Sequence, residues 1–274
     1  MKYMIKRAIR ETRILNFFPR LYQATRYFNG RYPQILKWAL TSREDTNYTY
    51  HITPTSRLYM AYAIAEATGV GVSDVERYFQ EIETDEAFAR QIVELSKQGP
   101  DRFVSDDSVR LGRRIGWYAF VRILKPGVVV ETGVDKGLGG ATLCQALLRN
   151  AEEGRPGRYF GTDINPSAGF LLQAKFTEVG KILYGDSIES LSKFTDEIDI
   201  FINDSDHSAE YEYREYMTIR PLLGPRSIIL GDNSHCTDRL ARFSGEFRRQ
   251  FLFVKEEPED HWYPGAGIGI SFVR

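Results

Sequence analysis

Cysteine is scarce in this chain of 274 residues. Cys144 and Cys236 stand far apart and fit no metal-ligand spacing, which makes a reducing cytoplasm the expected compartment. Long apolar runs are missing too. No stretch reaches the roughly 18 apolar residues of a membrane-crossing helix, and residues 1–20 alternate charged and apolar positions without the apolar core of a secretory signal. Glycine (23) and proline (11) are too few for a collagen-like or low-complexity chain, and 42% hydrophobic with 27% charged residues is the composition of a globular protein able to bury a core. Acid is nearly absent from the first forty residues. Lys2, Lys6, Arg7, Arg10, Arg13, Arg20, Arg26, Arg31 and Lys37 stand there against a single Glu11, a local charge of +8 in a chain whose net charge is −1. Such a stretch, rich in aromatics, suits an anionic membrane, a nucleic acid or an acidic partner. A solvated helix face beside an acidic domain is the plainer reading. The remainder is weakly acidic, so nucleic acid is not an expected partner.

What is present falls into two textures. Up to about Pro100 the pattern is helical and polar. Residues 55–68 carry apolar positions at helical spacing, with Ser56 as the expected N-cap and Gly69 just past the end. Residues 75–79 and 86–95 predict further short helices, the second stopped by Gly99-Pro100. From about Ser105 strands and helices alternate. Strands are predicted over 128–130, 158–162, 181–184, 198–202, 227–230, 251–254 and 267–273, and helices over 109–124, 138–150, 167–178, 208–223 and 237–247. The run Val128-Val129-Val130 is the kind expected of a strand buried on both faces. This alternation predicts a mostly parallel seven-stranded sheet with helices on both faces and an antiparallel pair at one edge. The chain divides accordingly into a helical region over 1–105 and a sheet domain over 106–274.

In such a sheet a ligand sits beyond the carboxyl ends of the strands. The first strand runs into Glu131-Thr132-Gly133-Val134-Asp135-Lys136-Gly137, the second into Asp163-Ile164-Asn165-Pro166 and the third into Gly185-Asp186-Ser187. The fourth leads to Asn203-Asp204-Ser205-Asp206-His207 and the fifth to Gly231-Asp232-Asn233-Ser234-His235. Gly133 and Gly137 bracket a tight turn where a ligand can approach the backbone. It is not a G-x-G-x-x-G turn, which argues against a nicotinamide-dependent oxidoreductase. Asp163, at its strand end, is placed to accept hydrogen bonds from ribose hydroxyls; alone, it would read equally as a turn or cap residue.

The segment VVETGVDKGLGGATL (129–143), with GTDINP and LYGDS behind it, resembles the class I S-adenosylmethionine (SAM)-dependent methyltransferases from about Arg110 to the end. That resemblance implies a Rossmann-like α/β fold with a seven-stranded sheet, its last strand antiparallel, behind an N-terminal helical region. It implies that Glu131, Gly133 and Gly137 line the methionine part of SAM, that Asp163 binds the ribose, and that Asp186 and Ser187 approach the adenine, with Asp204 also near the cofactor. Asp135 and Gly139 depart from the residues that many relatives carry there.

Asp204 and the pair Asp232-Asn233 offer three hard oxygen ligands on adjacent strand ends, a partial shell suited to Mg²⁺ or another divalent cation. Their order and spacing resemble the metal-dependent O-methyltransferases of the catechol, caffeoyl-CoA and macrolide-sugar types. By that resemblance Asp204, Asp232 and Asn233 are the metal ligands and His207 the catalytic base. A cation on two neighbouring substrate oxygens favours the alkoxide or phenolate, and imidazole, with an ordinary pKa of about 6.5, takes protons at neutral pH. His235 is the second candidate, and Trp262 and Tyr263 are candidates for shaping an acceptor pocket. Tyr211, Tyr213 and Tyr216 read as packing residues. The expected activity is O-methylation of a small molecule, a sugar, glycosylated natural product or catechol-like phenol. A metal-free enzyme and a non-catalytic SAM-binding protein are the alternatives. The N-terminal helices are expected to build an acceptor pocket, a lid or a homo-oligomer contact, or to bring the enzyme to an anionic surface. No nucleic-acid acceptor is expected, because the Asn/Asp-Pro-Pro-Tyr type of motif is absent.

Overall fold

Strands form where β-branched and aromatic residues run without polar interruption. In a computed structural model, which describes Tyr3, Thr12 and residues 15–274, the strands are β1 (Val128–Thr132), β2 (Arg158–Asp163), β3 (Gly180–Tyr184), β4 (Ile198–Asn203), β5 (Leu223–Gly231), β6 (Gln250–Lys255) and β7 (Gly267–Phe272). They make one sheet in the order β3-β2-β1-β4-β5-β7-β6. β1 to β5 pair in parallel, and β7 runs antiparallel between β5 and β6. Every residue of β1 is buried, as its unbroken valine run requires. Strand order reverses around β1, which pairs β2 on one side and β4 on the other. Thr132 pairs Thr162 and Asn203, so three carboxyl ends are level at the switch point.

The chain divides into two compact units. The described part of one comprises Tyr3, Thr12 and residues 15–42 with Asp260–Tyr263, and the other comprises Arg43–Glu259 with Pro264–Arg274. The first holds α1 (Phe17–Asn29) and α2 (Arg31–Thr41); Lys37 pairs with Asp260, and Trp38 packs on His261 and Trp262. Lys2, Lys6, Arg7, Arg10, Glu11 and Arg13 of the basic stretch lie outside the described residues. The second unit holds the sheet and α3 (Pro54–Thr68), α4 (Val72–Glu83), α5 (Glu86–Gln98), α6 (Arg114–Leu124), α7 (Leu138–Glu152), α8 (Ser187–Ser192), α9 (Ala209–Ile219) and α10 (Arg239–Glu246). α3 and α4 pack against α6, so helices from the first hundred residues share the sheet's unit. Under one sheet face Val130, Phe160, Phe201, Tyr216, Ile229 and Phe243 form a core, each such side chain contributing about 1.5–3 kcal/mol by leaving water.

Three local expectations are corrected. The cap of α3 is Thr53, whose hydroxyl accepts from Ser56 N at 3.2 Å; Ser56 is buried and instead accepts from Glu257 N. The predicted helix over 109–124 starts only at Arg114, because Gly112 takes a φ of +54° and Leu111 bridges to Tyr50. Residues 167–178 make turns and a 3₁₀ segment rather than a helix. Their amides are spent elsewhere: Gly169 N donates to Asp135 O (2.7 Å) and Leu171 N to Lys136 O (3.0 Å), which ties this segment to the β1–α7 loop.

Candidate active site

The turn after β1 sets the floor. Gly133 adopts a φ of +83°, and a Cβ there would overlap the carbonyl oxygen of Asp204 on the neighbouring loop. Only glycine lets the β1 and β4 ends approach this closely. A Cβ at Gly139 would likewise overlap the Glu131 carboxyl. Above this floor opens a cavity of about 630 Å³ at the level carboxyl ends of the strands. Of the residues singled out in the sequence, Glu131, Gly133, Asp163, Asp186, Ser187 and Asp204 line it. Gly137, His207, Asp232 and Asn233 do not; Gly137 backs onto Gly169. Tyr48, Arg113, Arg114, Ile164 and Tyr211 line it as well, and none of these was singled out as a ligand contact.

Two of the cavity carboxylates, Asp163 and Asp186, also have work in their own loops. Asp163 Oδ2 accepts from Asp135 N (2.9 Å) and Oδ1 from Asn165 N (2.8 Å), which fixes its direction and leaves each oxygen a second lone pair. Asp186 caps α8 by accepting from Glu189 N (2.9 Å) and accepts from Tyr211 OH (2.9 Å); those bonds, the capping one first, hold its pKa below the ordinary value. Tyr211 is therefore a cavity residue as well as a packing one. Glu131 is fully buried, accepts from Tyr159 OH, and is pushed by burial to a pKa of about 7.

At the inner end stands Arg113, the residue just before α6. Its Nη2 donates to Asp232 Oδ2 (2.7 Å) and its Nε contacts Oδ1, so the guanidinium grips both oxygens of one carboxylate. Nη2 also lies 3.8 Å from Asp204 Oδ2, while Nη1 donates to Tyr50 OH (2.8 Å) and lies 3.7 Å from Glu256 Oε1. Burial works against the Arg113 charge, but Asp232, Tyr50, Asp204 and Glu256 more than offset it and its pKa lies well above the usual value. Asp204 is raised well above the carboxylate range, by burial first and then by the charge of Asp232. His207 Nε2 lies 3.8 Å from Asp204 Oδ1 and 2.9 Å from Asn233 Nδ2.

Asp204, His207 and Asp232 each offer one ligand atom within 4.8 Å of the others, a grouping that can hold a metal ion. In this arrangement, however, Arg113 grips both oxygens of Asp232, and Asn233 turns its amide nitrogen to His207. A cation held by Asp204, Asp232 and Asn233 would share Asp232 with Arg113.

Beneath the rim, buried Glu215 gathers the strand ends. It accepts from Ser205 Oγ (2.8 Å), Ser187 Oγ, Asn203 Nδ2 and, at 3.4 Å, Thr132 Oγ1, while burial raises its pKa to about 7. The Glu215→Gln variant replaces an acceptor oxygen by a donor. It is expected to lose about 1–2 kcal/mol, read as a lower urea midpoint at unchanged slope.

The family model for a methyltransferase domain matches residues 130–234, a stretch that holds every site residue named above except Tyr48, Tyr50, Arg113, Arg114 and Glu256. Over that stretch the chain is similar to the methyltransferase-domain family. Solved structures agree on its fold. An O-methyltransferase from Bacillus cereus, solved with S-adenosylhomocysteine (SAH), aligns with a TM-score of 0.52 at 14% identity over 77% of this chain and 100% of that one. The O-methyltransferase TomG from Streptomyces achromogenes, solved with SAM, gives 0.51 at 16% identity over 73% and 95%. The SAH-bound methyltransferase PaMTH1 from Podospora anserina gives 0.50 at 17% identity over 73% and 94%. No curated protein matches the chain. The seven-stranded, mostly parallel sheet and its antiparallel β7 are as the sequence predicts. Among the described residues no helix is long and apolar enough to cross a membrane.

Proposed function

We propose that this protein is a SAM-dependent O-methyltransferase acting on a small-molecule hydroxyl with a neighbouring oxygen, such as a sugar, a glycosylated natural product or a catechol-like phenol. The observation that carries the reading is a single cavity lined by Glu131, Gly133, Asp163 and Asp186 on one side and by Asp204 and Arg113 on the other. The first group suits the donor. The Asp163 carboxylate takes the ribose hydroxyls, Asp186 and Tyr211 meet the adenine end, and Glu131 faces the α-ammonium of the methionine part. Bound SAM supplies a sulfonium methyl, to which the acceptor oxygen bonds as the carbon–sulfur bond breaks.

The second group suits the acceptor. In this proposal Arg113 provides the fixed positive charge that a divalent cation provides in the metal-dependent relatives, and it favours a developing oxyanion. Asp204, which lines the cavity with His207 3.8 Å behind it, receives the acceptor proton. No step runs through a metal.

Calorimetry tests the donor half: SAM binds and NAD does not, and Asp163→Ala weakens SAM binding about tenfold, the worth of a charge-assisted hydrogen bond. Equal binding by Asp163→Ala would remove the ribose role. EDTA is expected to leave methyl transfer unchanged on any acceptor found by SAH release. A Mg²⁺-restored loss would return the site to a metal.

A further inference from the structure

Neither α1 nor α2 buries a single residue. On α1, Phe17, Leu21 and Phe28 follow one another at helical spacing, with Phe18 beside them and 71% exposed. On α2, Leu36 and Leu40 share a face with Tyr32, and Leu40 is 84% exposed. Residues 12–43 contain no acid, while Arg20, Arg26, Arg31 and Lys37 lie along the two helices. A monomer rarely leaves so continuous an apolar face in water.

We propose that α1 and α2 dock in the plane of an anionic lipid bilayer. Charge decides the occupant. Two copies of this chain meeting on these faces would bring base against base with no acid between them, whereas anionic headgroups supply the missing negative charge. Composition points the same way. The exposed Tyr22, Tyr27 and Tyr32 carry an apolar ring with a polar edge, the side chains that settle at the headgroup level. Length excludes crossing: helices of 13 and 11 residues fall well short of the roughly 20 that span a bilayer. They have the length and pattern of helices that lie on the surface, apolar face down and basic residues toward the phosphates. Lys37 is paired with Asp260, so the electrostatic part rests on Arg20, Arg26 and Arg31.

Co-sedimentation of the full chain with vesicles tests this. Phosphatidylcholine vesicles containing about one-third phosphatidylserine should bind it at least tenfold more strongly than phosphatidylcholine alone, and about 0.5 M salt should remove most of the difference. The variant Phe18→Ser/Leu21→Ser should lose binding to both vesicles, and Arg20→Gln/Arg26→Gln only the phosphatidylserine preference. Thermal midpoints equal to that of the parent show that the variants are folded, and should one set misfold, the other still decides. Binding that ignores both variants overturns the proposal. So does a dimer in light scattering that Phe18→Ser/Leu21→Ser dissociates, which assigns the face to a second copy. Retention on polyglutamate that exceeds retention on vesicles assigns it to an acidic polypeptide.

Discussion

Replacing Arg113 by methionine is expected to cost about 3–5 kcal/mol of stability, the range found when one partner of a buried ion pair is removed. Asp232 is 2% exposed and Glu256 is fully buried, so neither can recover hydration once the guanidinium is gone. Asp204, already driven toward its neutral form by Asp232, would be driven further. Arg113→Lys should fall between parent and methionine variant, because one ammonium cannot grip both Asp232 oxygens and still reach Tyr50. Thermal unfolding at pH 7.5 reads the series. The double variant Arg113→Met/Asp232→Leu should recover part of the loss, since it removes the stranded charge together with its partner. A methionine variant as stable as the parent would mean that the four groups around Arg113 do not depend on it. A parent that Mg²⁺ stabilises strongly would mean that Arg113 yields Asp232 to an ion.

The legible part of the molecule is the part with local causes. Val128-Val129-Val130 announces a buried strand because nothing polar interrupts it, and Gly133 marks the close approach of the β1 and β4 ends because a Cβ would collide with the next loop. Asp163 and Asp186 are readable because a strand end followed by a helix or turn needs a cap as much as a ligand needs an acceptor; both carboxylates serve their own loop. Arg113 is not readable this way. Its partners Tyr50 and Asp232 lie 63 and 119 residues away, and nothing in RLGRRIGWYAF says which of the adjacent arginines turns inward. The signal that was there is two charges opening a helix that is apolar from there to Val121, which need partners when the helix is buried. For Asn233 the residue type is readable and the neighbour is not: it has a φ of +50° and its amide nitrogen lies 2.9 Å from His207 Nε2. Residues 167–178 look helical in isolation, and the backbone chose instead to satisfy the carbonyls of Asp135 and Lys136. In each case the residue type is local information and the partner is not.

Glu131 ties stability and cofactor binding to one proton, and the two respond to pH in opposite directions. Its pKa is raised from 4.5 to about 7 by burial. A carboxyl whose folded pKa is raised contributes stability that is complete below pH 4.5 and lost as pH climbs through 7. At roughly 1.4 kcal/mol per unit, the parent should lose about 3 kcal/mol across that window through this group. Glu131→Gln keeps an oxygen for Tyr159 OH to donate to and has no charge to bury, so it should match the parent near pH 4.5 and exceed it by about 3 kcal/mol at pH 8. Urea melts at the two pH values measure the difference. For SAM the sign reverses. If Glu131 faces the α-ammonium, only its ionised form binds well, and the parent's SAM affinity should rise about tenfold between pH 5.5 and 7. The Gln variant should bind weakly and without that slope. A variant that gains stability at pH 8 while keeping the parent's SAM affinity and pH profile would separate the two effects and place the ammonium elsewhere in the cavity. One that gains no stability at pH 8 would show that the carboxyl ionises in the folded chain as readily as in the unfolded one.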